Sequence, residues 1–136
     1  MPVSSVVRTT GHPGYSQTMP CTVESADPAR QLVRPALCTW GLEDDGALVV
    51  TELVANAVQH TQGHLIRVSV SRPAPGLVRI QVVDRSKIRP ERRNADDYSE
   101  RGRGLFLIEV LTDHWGTDLL PFGKRVWAVL AEERVV

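Results

Sequence analysis

The sequence predicts a two-layer α+β sandwich, with a mostly antiparallel mixed sheet covered by helices on one face. Three observations carry that expectation. Two pairs of segments alternate apolar and polar residues around turn residues: Ile66–Ser71 with Leu77–Asp84, and Thr117–Leu120 with Arg125–Leu130. Three other segments repeat apolar residues at helical spacing. The 136 residues, 42% hydrophobic and 24% charged, suit one globular domain. Gathering the helices on one face of the sheet buries the apolar sides of both layers.

Residues 1–16 carry Gly11, Pro13 and Gly14 without periodicity and read as a flexible leader, which leaves 17–136 as the domain. Gln17 to Val23 alternates weakly, and Pro20 confines such a strand to a sheet edge. Asp27 followed by Pro28 reads as a helix start, with Asp27 as the cap and Pro28 in the first turn. Ala29, Leu32, Val33, Ala36, Leu37 and Trp40 supply its buried stripe; Pro35 predicts a kink and Gly41 a stop. Asp44 and Asp45 suit the positive end of a second helix running to about His60, with Ala47, Leu48, Val50, Thr51, Val54, Ala57 and Val58 inward. The first hairpin turns at Pro73–Gly76. Leu105, Ile108, Leu111 and Trp115 predict a third helix over 104–115 ended by Gly116, and the second hairpin turns around Pro121–Lys124.

Between the first hairpin and the third helix lies a polar stretch, residues 85–103, with seven Arg or Lys against four Asp or Glu. Long polar loops inside compact domains are functional or disordered. Its positive excess is modest, Tyr98 is its only aromatic residue, and the whole chain has a formal net charge of zero. That combination disfavours direct nucleic-acid binding. No apolar run approaches the roughly 20 residues of a membrane span, and Met1–Gln17 has no signal-like apolar core, so no membrane association is expected. Cys21 and Cys38 lack metal spacing, which fits a reducing, cytoplasmic setting. The basic charge is almost all arginine: Lys87 and Lys124 are the only lysines.

Three features could carry chemistry. Glu52, Asn56 and His60 are spaced four apart and stack on one face of the second helix. A carbonyl oxygen at Asn56 suits a hard cation such as Mg²⁺, and Glu52 could orient or deprotonate a nucleophile; the same spacing also describes an ordinary solvated helix face. Asp84 ends an apolar strand, where its carboxylate could accept from an exocyclic amine or simply terminate the strand in a turn. Arg101-Gly102-Arg103-Gly104-Leu105 leads into the third helix. Glycines there permit close backbone approach and a helix start offers N–H groups to phosphate, although a flexible loop end reads the same way.

Taken in this order, the segments resemble the GHKL, or Bergerat-fold, ATPases, most closely the small stand-alone anti-sigma-factor serine/threonine kinases of bacteria. The resemblance covers roughly residues 20–132. Glu52–His60 looks like the family's N box, Asp84-Arg85-Ser86 stands where its first glycine box begins, and Gly102-Arg103-Gly104-Leu105 looks like its second. Gly116 and Gly123-Lys124-Arg125-Val126-Trp127 resemble its closing hairpin. The resemblance implies ATP and Mg²⁺ as cofactors, with Asn56 as the metal ligand and Glu52 as the catalytic acid that activates a hydroxyl or water. It places His60 near the phosphates, Asp84 on the adenine, and Arg101, Gly102, Arg103, Gly104 and Leu105 at the phosphate-contacting end of an ATP lid over about 85–103.

No phosphoacceptor histidine segment is recognisable ahead of these motifs, so the resemblance implies a partner-switching kinase and not a sensor histidine kinase. Its partners would be an anti-sigma-factor antagonist, a sigma factor, or both, with a homodimer as the expected assembly. Two departures stand out. The family's Asp-x-Gly-x-Gly is here Asp84-Arg85-Ser86-Lys87-Ile88, and the Thr common in the last hairpin is missing from Gly123-Lys124-Arg125. They leave open an alternative: a non-catalytic nucleotide-binding or protein-interaction module with a degenerate adenine pocket.

Overall fold

A computed structural model of the chain describes residues 6–8, 14–61, 64–86 and 100–132, with the backbone alone for 6–8, 61 and 100–104. The elements are β1 (Val6–Arg8), β2 (Gly14–Pro20), α1 (Ala26–Leu37), α2 (Glu43–Thr61), β3 (Leu65–Ala74), β4 (Leu77–Asp84), α3 (Glu100–Leu111), β5 (His114–Leu120) and β6 (Gly123–Ala131). The strands form one six-stranded sheet of order β1-β2-β3-β4-β6-β5. Every pairing among the described residues is antiparallel, so the expected α+β sandwich forms on an antiparallel and not a mixed sheet.

The alternation of apolar residues determines which face is covered. Val78, Ile80 and Val82 of β4 are buried, flanked by Ile66, Val68 and Val70 of β3 and by Val126, Ala128 and Leu130 of β6. Above them lie Ala29, Val33 and Leu37 of α1, Val50, Leu53, Val54 and Ala57 of α2, and Ile108 of α3 in one cluster. Fully burying a Val, Leu or Ile side chain contributes about 1.5–3 kcal/mol, so each inward slot is valuable. Two such slots, at the end of β4 and the start of β6, are held by Asp84 and Lys124.

Several local expectations are corrected by longer-range pairing. Strand structure begins inside the segment read as leader: Val6–Arg8 pairs with β2, which itself starts at Gly14. Pro20 does not mark a sheet edge; it is the last residue of β2, where a missing ladder donor matters least. Asp27 is not the cap of α1. The helix starts at Ala26, two residues earlier than that cap would place it, with Ser25 in the cap position, and Asp27 pairs with Arg30 within its first turn. Pro35 sits in the last turn of α1, which passes into a 3-10 turn at Cys38–Trp40 before Gly41.

The inward stripe of α2 includes Val49 at 1% exposure, whereas Leu48 is 47% exposed. The third helix runs earlier than its apolar spacing suggests, from Glu100 to Leu111. Trp115 and Gly116 therefore lie in β5, because the Asp113 N–H donates to the Val129 carbonyl at 2.7 Å and opens the β5–β6 ladder. Gly116 faces Trp127, and a Cβ there would sit 2.6 Å from the indole ring.

Candidate functional site

The site is built where the C-terminal half of α2 passes over the ends of β4 and β6. On α2, Glu52, Asn56 and His60 are partly buried beside the fully buried Leu53, Val54 and Ala57, so the core side of the helix fixes the polar side. Asn56 Oδ1 is buried and has no hydrogen-bond partner among the described residues. Buried polar atoms are almost always paired, so an orphaned carbonyl oxygen calls for an explanation. Two other such atoms lie elsewhere: Glu43 Oε2 at the start of α2, and Arg79 Nε on the outer face of the sheet.

Asp84 is 2% exposed, and its direct register partner Lys124 is 0% exposed. The Lys124 ammonium donates to Asp84 Oδ1 at 3.3 Å and lies 3.1 Å from Oδ2 in an ion pair. Oδ1 also accepts the Ser86 backbone N–H at 2.7 Å. On its other side Lys124 Nζ lies 3.1 Å from His60 Nδ1. An ammonium only donates, so Nδ1 accepts here and a neutral ring carries its proton on Nε2. The result is a chain Asp84–Lys124–His60 that links a buried ion pair in the sheet to the partly buried polar face of α2. Gly123 permits it: a Cβ there would sit 1.9 Å from the Asp84 carbonyl oxygen.

The second glycine motif is placed differently from expectation. Residues 101–104 lie within the first turns of α3 and not in a turn ahead of it. Gly102, with the N–H groups of that first helical turn, remains at the anion-attracting end of the helix. The side chains of Arg101 and Arg103 lie outside the described residues, as do residues 87–99 of the expected lid. Leu105 is 4% exposed and packs in the core beside Ile108, so its side chain has a structural role.

Cys21 lies close enough to this cluster to feel it. Burial pushes its thiol pKa up, the Asp84 carboxylate adds to the rise, and Lys124 opposes it. Cys38, by contrast, is exposed. An alkylating reagent at pH 8 is therefore expected to modify Cys38 first, with Cys21 reacting only on unfolding, because the thiolate is the nucleophile. The raised pKa belongs to the folded state. The unfolded thiol thus ionises first as pH climbs past about 8.5, and the Cys21 contribution to stability falls from there upward. Peptide mapping after timed alkylation checks the order; equal rates for the two thiols would contradict it.

Sequence reasoning brought Glu52, Asn56, His60 and Asp84 to this region but passed over Lys124. The signal was present: Lys124 is in phase with Val126, Ala128 and Leu130, and Asp84 with Val82, Ile80 and Val78. Opposite charges at inward positions of two apolar strands predict an ion pair once those strands are known to be neighbours.

The fit to a magnesium nucleotide divides in two. Asn56 fits the metal end, since its unpartnered carbonyl oxygen is a hard donor and Mg²⁺ takes few protein ligands besides phosphate oxygens and water. No group of three His, Cys, Asp or Glu side chains among the described residues could hold a metal without such help. The base end does not fit in the same way, because the Asp84 carboxylate is already paired with the Lys124 ammonium.

These features define an α+β sandwich whose polar site lies between one helix and the adjoining ends of two central strands. The chain belongs to the histidine kinase-like ATPase domain family, whose model matches residues 19–130. The family implies ATP binding and a regulatory ATPase-like module. No match is found among curated proteins. No helix among the described residues is long and apolar enough to cross a membrane.

Proposed function

We propose that this chain is a magnesium-nucleotide-dependent regulatory protein, a cytoplasmic serine/threonine kinase acting as an anti-sigma factor in partner switching. The observation that carries the nucleotide part is the orphaned Asn56 Oδ1, one helical turn before His60 and one after Glu52. When bound, Mg-ATP supplies a γ-phosphoryl group for in-line transfer to a hydroxyl. Asn56 holds the metal, Glu52 orients the acceptor hydroxyl and takes its proton, and the N–H groups at the start of α3 steady the phosphates. The acceptor would be a Ser or Thr on an anti-sigma-factor antagonist, with a sigma factor as the held partner and a homodimer as the working unit.

A second reading has a specific observation in its favour. The Lys124–Asp84 pair suits a non-catalytic nucleotide-binding or protein-interaction module with an altered base pocket. Variants of the two α2 residues separate the readings. Mg-ATP is expected to raise the melting temperature of the wild-type chain, since a ligand of the folded state stabilises it by mass action. Asn56→Ala should remove that rise. Glu52→Gln should retain it while slowing phosphoryl transfer by about a hundredfold or more. Full nucleotide binding with no transfer to any hydroxyl would favour the second reading, and an undiminished Mg-ATP response in Asn56→Ala would remove the metal role.

A further inference from the structure

We propose that Lys124 occupies the base-reading position of this site, so that a nucleotide is held here through its phosphates and the purine is not selected. The inference rests on the nucleotide reading above and deepens it.

The register places Lys124 directly opposite Asp84 on the helix-facing side of the sheet. Its ammonium has three protons, and three acceptors lie around it: Asp84 Oδ1 at 3.3 Å, Asp84 Oδ2 at 3.1 Å and His60 Nδ1 at 3.1 Å. Two hydrogen bonds and an ion pair thus hold the ammonium to the protein's own acceptors and not to a ring nitrogen or a keto oxygen of a base. The Ser86 N–H adds to the claim on Asp84 Oδ1.

A purine amine reaching Asp84 would have to displace an ammonium. The ammonium is an ion pair with the carboxylate as well as a donor to it, and a neutral amine would bring the hydrogen bond without the charge–charge attraction, so that exchange is uphill at the carboxylate. The displaced ammonium, buried at 0% exposure, would in addition lose its counter-ion. Lysine is almost never fully buried without a partner, and an apolar residue would be the default in phase with Val126, Ala128 and Leu130. The metal end is independent of this chain of contacts, because Asn56 Oδ1 sits one turn away on α2 and takes no part in it.

The test titrates the full chain by calorimetry with Mg-ATP, Mg-GTP and magnesium tripolyphosphate, as wild type and as Lys124→Thr. The wild type is expected to bind ATP and GTP within about threefold of each other, the base adding little beyond the triphosphate. Lys124→Thr, which frees the carboxylate, is expected to gain about tenfold or more for ATP with tripolyphosphate unchanged. Wild-type selectivity for ATP over GTP of about tenfold or more would overturn the inference while leaving the nucleotide reading intact. So would a folded variant that gains nothing for ATP. Should the variant fail to fold, the wild-type comparison decides alone. If none of the three ligands binds either protein, the nucleotide reading and this inference fall together.

Discussion

Lys124→Ala is expected to destabilise the chain by about 3–5 kcal/mol, a drop of roughly 10–17 °C in melting temperature for a domain of this size. The reason is asymmetric. The wild-type pair has exchanged solvation for mutual attraction between two side chains of 0% and 1% exposure. Removing the ammonium leaves a carboxylate that cannot recover its water, with only the Ser86 N–H still donating to it. Replacing both members together, as Asp84→Leu with Lys124→Met, is expected to restore most of the loss, since apolar residues of similar volume return two inward slots to the core. Urea unfolding of the singles and the double measures the coupling. If the double loses the sum of the single losses, the two side chains act independently and the buried pair is not what holds this end of the sheet.

Gly123→Ala is expected to cost about 3 kcal/mol or more, placing it among the largest single-residue effects in the chain. The added Cβ would lie 1.9 Å from the Asp84 carbonyl oxygen, 2.8 Å from its carbonyl carbon and 2.7 Å from Arg85 Cα. All three are backbone atoms, so no side chain can swing aside and the strand ends must part. Gly46→Ala makes the contrast. Its Cβ would meet the end of the Leu37 side chain, which can rotate, and a smaller loss is expected there. Parting β4 from β6 at this end also separates Asp84 from Lys124, so Gly123→Ala and Lys124→Ala should be less than additive in thermal unfolding. Full additivity would mean that the glycine and the ion pair support different parts of the structure.

The two substitutions probe a region that the sequence describes only in part. The polar face of α2 was legible because helical periodicity is a property of neighbouring residues: Glu52, Asn56 and His60 share a face whatever the rest of the chain does. Asp84 was legible as the end of an alternating strand, and the two hairpins as alternating segments joined by turn residues. Trp115 was misread for a related reason. It stands four residues after Leu111, which is helical spacing, and only the partner strand β6 draws it into β5. The outer strand Val6–Arg8 was missed because three residues carry no period of their own and become a strand by pairing with β2. Leu105, grouped with the phosphate-contacting motif, turns its side chain into the core, which only the packing of α3 decides.

By itself the sequence determined the layers, the covered face of the sheet and the helix face that carries Asn56, since each follows from the spacing of residues close together in the chain. The tertiary structure alone decided that Lys124 lies opposite Asp84 and reaches His60. These contacts join residues 40 and 64 positions apart. They depend on strand order and register, which no local periodicity encodes, and on the buried setting that leaves an ammonium no partners except the ones it has.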